Sequence, residues 1–315
     1  MLQLLPALED NALAKDFFQT IFSDSFYGDE GKPLAGFLDE VGWHNLKQEL
    51  IALFEKDTNS AYKTTQLLDG LYTSLLGTSK SKVPQSKTES LNILNTLADR
   101  LEKNIEAWDK NNQKNYYFSY GSSRVDIYTQ RIELIISILD RCFPLFKSEA
   151  LNHLVHYFAN TEKYYSLHEV LIPILEHYGK LTDRNIPKNP AIKQLTTLIL
   201  KKLKDHTERP IQFPQDWEMT ANWQCECKDC LVLKAFLREA NEKSLQVKMG
   251  KERRKHLHRI IDQYVIDLTH ETIRQGSPFT LVFEKNRKSF EQKEKIWQKE
   301  LKIFSHYKSM LGPEA

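Results

Sequence analysis

Apolar residues recur at the spacing of an α-helix through the first two thirds of the chain, and this pattern limits the folds open to it. One face of residues 34–56 is apolar throughout: Phe37, Leu38, Val41, Leu46, Leu50, Ile51 and Phe54. Comparable stripes occur in 61–76, 91–108, 125–142, 148–160, 166–178 and 190–205. A spacing of three to four residues buries one side of a helix, whereas a strand requires alternation. We therefore predict a mainly α fold, with about eight helices in an irregular helical repeat (α-solenoid-like) or a helical bundle.

Two polar segments, residues 78–90 and 111–123, are predicted to be loops between these helices. The first loop ends in Ser86-Lys87-Thr88-Glu89, which is a capping-box pattern, and a helix is predicted from Leu91. Gly179 is predicted to end the helix of residues 166–178, because glycine readily adopts the positive φ found at many helix ends.

The pattern changes near Arg209, where prolines and tryptophans interrupt the helical stripes: Pro210, Pro214, Trp217 and Trp223. A chain of 315 residues is long enough for two domains. We predict a helical repeat or bundle domain at 1–209 and a cysteine-containing, α-rich module at 210–315. In the module, helices are expected at 231–240, 251–270 and 288–310, with a short β-hairpin that includes 280–283.

Composition excludes several classes of protein. The chain is 41% hydrophobic and 27% charged, so it has enough apolar material to fold, and its 11 Gly and 11 Pro are too few for a collagen-like or low-complexity chain. Its net charge of +2 does not indicate a polyanionic partner. We predict no membrane span and no secretory signal, because the apolar runs are short and residues 1–8 lack a basic segment. The predicted location is the cytoplasm.

Three of the four cysteines form a C-x-C-x2-C cluster at Cys225, Cys227 and Cys230. Thiolates are preferred ligands of zinc, and a structural zinc site needs four nitrogen or sulfur donors. His256 and His258 flank the apolar face of the next helix, and either could supply the fourth donor. The sequence therefore predicts a structural zinc ion. Buried unligated thiols and a Cys227/Cys230 redox couple remain as alternatives.

A basic stretch runs from Lys243 to Arg259 beside this cluster. Its candidate contacts with nucleic acid or another anion are Lys248, Arg253, Arg254 and Arg259. The stretch carries none of the spacings of the common DNA- or RNA-binding motifs, and charged helical faces are usually solvated. Nucleic acid is therefore an alternative partner that the sequence does not favour.

No catalytic motif is complete in this chain. His270-Glu271 begins a zinc-protease motif, but Arg274 stands where the second histidine is required. His206-Thr207-Glu208 matches part of an iron-binding triad, but it ends a predicted helix instead of lying on a β scaffold. The sequence favours a non-catalytic interaction or scaffold protein whose partner is another, unidentified protein.

The last third of the chain also carries one longer linear pattern. It comprises Cys227-x-x-Cys230, Leu233-x-x-Phe236-Leu237, Arg253-Arg254-x-His256-Leu257, and Thr272-x-Arg274-x-Gly276-Ser277-Pro278-x-Thr280-Leu281-Val282 with Lys285. This pattern resembles the C-terminal module of large proteins related to 2-oxoglutarate- and Fe(II)-dependent oxygenases of the prolyl-hydroxylase type. The resemblance implies that the chain serves as an accessory portion of such an oxygenase system. The catalytic jelly roll of those enzymes is not expected here, because strand signals are almost absent.

Overall fold

A computed structural model of the chain describes residues 11–19, 27–56, 61–77, 84–116, 122–181, 189–264 and 266–311. The predicted mainly α fold is confirmed: helices dominate these residues, and a small antiparallel sheet lies near the C-terminal end. The described residues of 1–202 and 306–315 form one compact unit, here called the helical unit. Those of 203–305 form a second, here called the α/β unit. The division at Arg209 into independent domains stays a prediction.

The described helices before residue 208 are α1 (Asn11–Phe17), α2 (Gly31–Val41), α3 (Lys47–Lys56), α4 (Ala61–Gly77), α5 (Pro84–Tyr116), α6 (Ser122–Ile136), α7 (Ser148–Asn160), α8 (Ile172–Leu181) and α9 (Pro190–Thr207). Short 3-10 turns at Trp43–Leu46 and Phe143–Leu145, and π-helical turns at Ser137–Arg141 and Leu167–Leu171, connect or extend them. The apolar stripes face inward, as their spacing requires; Leu34, Leu38, Leu50 and Phe54 are fully buried.

The later elements comprise both helices and strands: α10 (Lys228–Arg238), β1 (Ser244–Lys248), α11 (Lys251–Tyr264), β2 (Leu268–Ile273), β3 (Thr280–Lys285) and α12 (Lys288–Leu311). The sheet order is β1-β3-β2, and both pairs are antiparallel. The β2–β3 connection contains Gly276, whose φ of +77° suits glycine. No helix in the described ranges is both long and apolar enough to cross a membrane.

Helix boundaries differ from the prediction around the two polar segments. The helix α5 begins at Pro84, so the capping-box residues Ser86–Glu89 lie inside its first turns instead of ahead of it. Proline suits the first helical position because its missing N–H would have no partner there. The second predicted loop is helical up to Tyr116 and again from Ser122. The remaining residues of these two segments, 78–83 and 117–121, lie outside the described part of the chain.

Gly179 does not end a helix, because α8 continues to Leu181. Its role is spatial: a Cβ at this position would collide with the ring of Tyr307. The prediction took glycine as a sign of positive φ, whereas the structure uses the absence of a side chain.

The sheet also corrects the predicted helix of residues 251–270, since α11 stops at Tyr264 and Leu268–Ile273 forms β2. The strand β1 was not predicted either. Both strands alternate between half-buried or buried and exposed positions, which is the signature of a half-covered sheet. The alternation is weak in sequence because β2 turns His270 and Thr272, and not only apolar residues, toward the covered face.

A close helix crossing in the helical unit gives the first testable prediction. A Cβ on Gly31 of α2 would lie 2.6 Å from the Leu67 carbonyl oxygen and 2.7 Å from the Gly70 Cα, both backbone atoms of α4. Gly31→Ala is therefore expected to lower the free energy of unfolding by about 1–3 kcal/mol.

Gly36→Ala, in the same helix, is the matched control. Nothing lies within 4 Å of its added Cβ, so the alanine is expected to raise stability by about 0.5–1 kcal/mol. Urea unfolding of both variants measures the difference. Equal effects at the two positions would contradict the close crossing.

Candidate metal centre

The three clustered cysteines and His256 bring their ligand atoms together in the α/β unit. The three Sγ atoms and one imidazole nitrogen all lie within 4.8 Å of one another. The Nε2 atom of His256 lies 3.6 Å from Cys225 Sγ, 3.5 Å from Cys227 Sγ and 3.3 Å from Cys230 Sγ. This Cys3His group could hold a metal ion.

These separations match the size of a tetrahedral site. With metal–sulfur bonds of about 2.3 Å and a metal–nitrogen bond of about 2.0–2.1 Å, tetrahedral angles place nitrogen and sulfur about 3.5 Å apart. All three nitrogen–sulfur distances fall close to that value. The three nitrogen–sulfur separations therefore fit a four-coordinate ion.

Three segments of the chain supply the ligands. Cys225 lies in the extended connector before α10, Cys227 is the N-cap residue of α10, and Cys230 lies in its first turn. His256 comes from the second turn of α11. The backbone N–H groups at the start of a helix favour negative charge, so the position of Cys227 and Cys230 suits thiolates.

An ion pair fastens the two ligand-bearing helices together. Asp229 of α10 accepts two hydrogen bonds from the guanidinium of Arg253 in α11, of which the Nε–Oδ2 bond measures 2.8 Å. Asp229 adjoins Cys230 in sequence, and Arg253 lies one turn before His256. The bonds from Arg253 also lower the pKa of Asp229. This pair was not predicted; its signal in the sequence is an acid between the last two cysteines and a basic residue one turn before the histidine.

Exposure differs among the three sulfurs. Cys230 is fully buried, Cys225 is half-buried and Cys227 is exposed. Burial raises the pKa of the Cys230 thiol to about 12, so this thiol needs a nearby cation to lose its proton at neutral pH. The pKa of Cys225 is lowered, first by a hydrogen bond from the backbone N–H of Cys227. The fourth cysteine, Cys142, is buried in the helical unit and is separate from this group.

The structure places His258 apart from the cysteines. Its Nε2 lies 3.2 Å from the Thr272 hydroxyl, and its ring packs on His270 with centroids 4.5 Å apart. Burial and the neighbouring His270 lower its pKa. Of the two histidines that the sequence offered, only His256 reaches the sulfur atoms.

Of the four basic residues proposed for anion binding, Lys248, Arg253 and Arg259 are exposed and Arg254 is half-buried. Arg253 is paired with Asp229, and Arg254 donates to the Met249 carbonyl oxygen while its guanidinium lies 5.0 Å from the Phe279 ring centroid. Arg259 Nη2 lies 3.5 Å from His256 Nδ1. Lys248 is exposed at the end of β1. Nucleic-acid binding through these residues stays a prediction, and three of them, Arg253, Arg254 and Arg259, have intramolecular partners.

A hydrophobic core supports the centre from one side. Its buried members are Trp223, Cys230, Leu233, Phe236, Leu237, Met249, Leu257, Ile260, Ile261, Leu268, Leu281 and Phe283. Cys230 thus belongs both to the ligand group and to the core, and Leu257 follows His256 directly. Packing of these residues holds α10 against α11 next to the candidate ligands.

Comparisons of the chain with protein-family models, with curated proteins and with solved structures found no match.

Proposed function

We propose that this chain is a non-catalytic interaction protein whose α/β unit is stabilised by one structural zinc ion. The observation that carries the proposal is the convergence of Cys225, Cys227, Cys230 and His256. Three thiolates and an imidazole form a donor set typical of structural zinc sites. Hard cations such as magnesium and calcium prefer oxygen donors and do not fit it.

The ligand count supports a structural role over a catalytic one. A tetrahedral zinc ion bound by four protein donors has no open position for water or substrate, whereas catalytic zinc sites keep one. The ligands also come from the connector, α10 and α11, so a bound ion cross-links three segments that are otherwise held by one small core and, between α10 and α11, by the Asp229–Arg253 pair. The interaction role is inferred from the large helical surface that the chain offers to a partner. No catalytic constellation is assembled at the Cys3His site.

The metal content of the purified protein tests this proposal. The protein is prepared without a metal-affinity column, and bound metals are measured by mass spectrometry. We expect about one zinc ion per chain. His256→Ala and Cys227→Ser are each expected to lose the ion to a chelator at a concentration at least about tenfold lower than the wild type, because each removes one of four donors.

His258→Ala is the matched control, since it removes an imidazole two positions away on the same helix. It is expected to retain wild-type zinc content and chelator resistance, because His258 contacts Thr272 and His270 and not the sulfurs. A protein that holds no zinc, or one in which the two histidine variants behave alike, would contradict the assignment. Iron in place of zinc would also contradict it.

A further inference from the structure

The strand β1 has one hydrogen-bonded edge and one free edge among the described strands. The β1–β3 ladder includes bonds from Lys285 N to Lys243 O and, beyond the strand end, from Met249 N to Phe279 O. In an antiparallel pair, the backbone N–H and C=O groups of every second residue point toward the neighbouring strand. Those of the odd-numbered residues of β1 therefore point toward β3. The backbone N–H and C=O groups of Ser244, Gln246 and Lys248 therefore point away from the sheet.

The side chains of β1 are also incompletely covered. Leu245 and Val247 point toward the core but are only half-buried, whereas their cross-strand partners Phe283 and Leu281 are fully buried. The difference arises because β3 has a strand on each side and β1 has one. A further strand beside β1 would cover two apolar side chains and pair three outward-facing residues.

We propose that this strand is β1 of a second copy of the chain, paired antiparallel about a two-fold axis at Gln246. This register pairs Gln246 with Gln246 of the second copy and Ser244 with Lys248 of the second copy. Every outward backbone group from 244 to 248 then has a partner, and the two sheets join into one of six strands. The inference rests on the proposed interaction function and names the partner.

The same register is complementary in side-chain character. It places each half-buried Leu245 opposite Val247 of the second copy, so the apolar pair continues the core face. It places each Lys248 opposite a serine and not opposite another lysine, so no like charges face each other. Edge lysines often oppose strand addition, but Lys248 projects to the exposed face and leaves the backbone edge open.

The size of the contact predicts a weak dimer. Stable interfaces bury about 1,200–2,000 Å² in total, and a five-residue strand pair buries less. We expect a concentration-dependent dimer with a dissociation constant of about 10–100 μM. Sedimentation equilibrium of the full chain, from about 1 to about 300 μM, covers the transition.

Gln246→Pro and Gln246→Ala separate the backbone from the side chain. Both variants remove the amide side chain, but only proline removes the outward N–H. Because that N–H does not bond to β3, the sheet of each copy is expected to remain intact. Gln246→Ala is expected to dimerise within about threefold of the wild type, and Gln246→Pro to weaken the dimer by at least about tenfold.

Ser244→Lys provides a second variant that does not threaten the fold. Residue 244 lies opposite Glu284 in its own sheet, so a lysine there gains a favourable neighbour within each copy. In the dimer it lies opposite Lys248 of the second copy, twice, and is expected to weaken association by about three- to tenfold. Circular dichroism checks that the fold is retained.

A wild-type chain that stays monomeric over the whole range would overturn the proposal, as would a dimer that neither Gln246→Pro nor Ser244→Lys weakens. Metal content is measured on the same samples. A zinc-loaded monomer contradicts only the dimer, and a metal-free dimer contradicts only the zinc assignment.

Discussion

Arg131→Met is expected to lower the free energy of unfolding of the helical unit by about 3–5 kcal/mol. Arg131 of α6 and Asp109 of α5 are both fully buried, and the guanidinium donates to Asp109 Oδ1 from Nη2 at 2.9 Å and from Nε at 3.1 Å. Tyr157 donates to the other carboxylate oxygen at 3.0 Å. Methionine fills a similar volume but leaves the carboxylate without its counter-charge in the interior.

Aromatic rings enclose this ion pair. The guanidinium carbon lies 5.6 Å from the Trp108 ring centroid, 5.3 Å from that of Tyr164 and 5.6 Å from that of Tyr165. Burial raises the pKa of Asp109, and this outweighs the lowering by Arg131 and by hydrogen bonds. Because the folded-state pKa lies above the unfolded one, the ionised carboxylate is less favourable in the folded chain, and stability falls as pH rises through that interval. Without Arg131 the pKa of Asp109 loses the lowering by that charge and rises further, so protonation relieves the variant more than the wild type, and the loss caused by Arg131→Met is expected to shrink as the pH falls.

Two further variants test this explanation. The double variant Asp109→Leu/Arg131→Met removes both charges and is expected to recover most of the lost stability, since replacing a whole buried pair costs little. Lys147→Met breaks the exposed pair with Asp99, in which Nζ lies 2.7 Å from Oδ2, and is expected to change stability little. Urea unfolding compares the three. If Arg131→Met were as mild as Lys147→Met, the pair would not be buried as described.

The buried ion pair also shows where sequence reasoning stops. Helices could be predicted because their apolar spacing is a local property of the chain. The sequence alone predicts that Asp109 and Arg131 lie on the surface, because charged side chains are almost never fully buried unless they are paired. Their pairing depends on the tertiary arrangement that brings α5 and α6 together, in which α4 contacts both helices, and no local pattern encodes it.

The candidate metal centre was also predictable only in part, because its residue types follow a local pattern and its geometry does not. The C-x-C-x2-C spacing predicted three members of the candidate site, and the helical period left His256 and His258 on either side of one apolar face. The structure brings His256 and not His258 to the sulfurs. This choice depends on how α11 lies against α10, which is a tertiary property and is bridged by the Asp229–Arg253 pair. The strand β3 was predictable from its apolar run within 280–283, whereas β1 carries only two apolar residues and β2 turns the polar side chains of His270 and Thr272 inward.

Removing the proposed zinc ion is expected to destabilise the α/β unit by about 4 kcal/mol or more, the effect of a ligand present at about 1,000 times its dissociation constant. A zinc ion bound only by the folded unit contributes its binding free energy to folding. Without it, the connector at Cys225, the start of α10 and the start of α11 are no longer cross-linked. The hydrophobic core at Trp223, Leu257 and Phe283 remains, so we expect loosening around the centre before complete unfolding.

Hydrogen exchange of the full chain, with and without a zinc chelator, locates this effect. Peptides from 223–264 are expected to exchange faster after chelation, whereas peptides from α5 to α8 of the helical unit are expected to keep their protection. Unchanged exchange across 223–264 after complete removal of zinc would contradict a structural role for the ion.

Cys230→Ala and Cys142→Ala form a matched pair for the same question. Both cysteines are fully buried, so each substitution removes one thiol from an interior and loses similar packing. Only Cys230 lies among the ligand atoms. Cys230→Ala is therefore expected to reproduce the faster exchange of 223–264 and to become insensitive to the chelator, because little bound zinc remains to be removed. Cys142→Ala should keep both the zinc and its response to chelation, and equal behaviour of the two variants would show that packing, and not metal binding, explains the burial of Cys230.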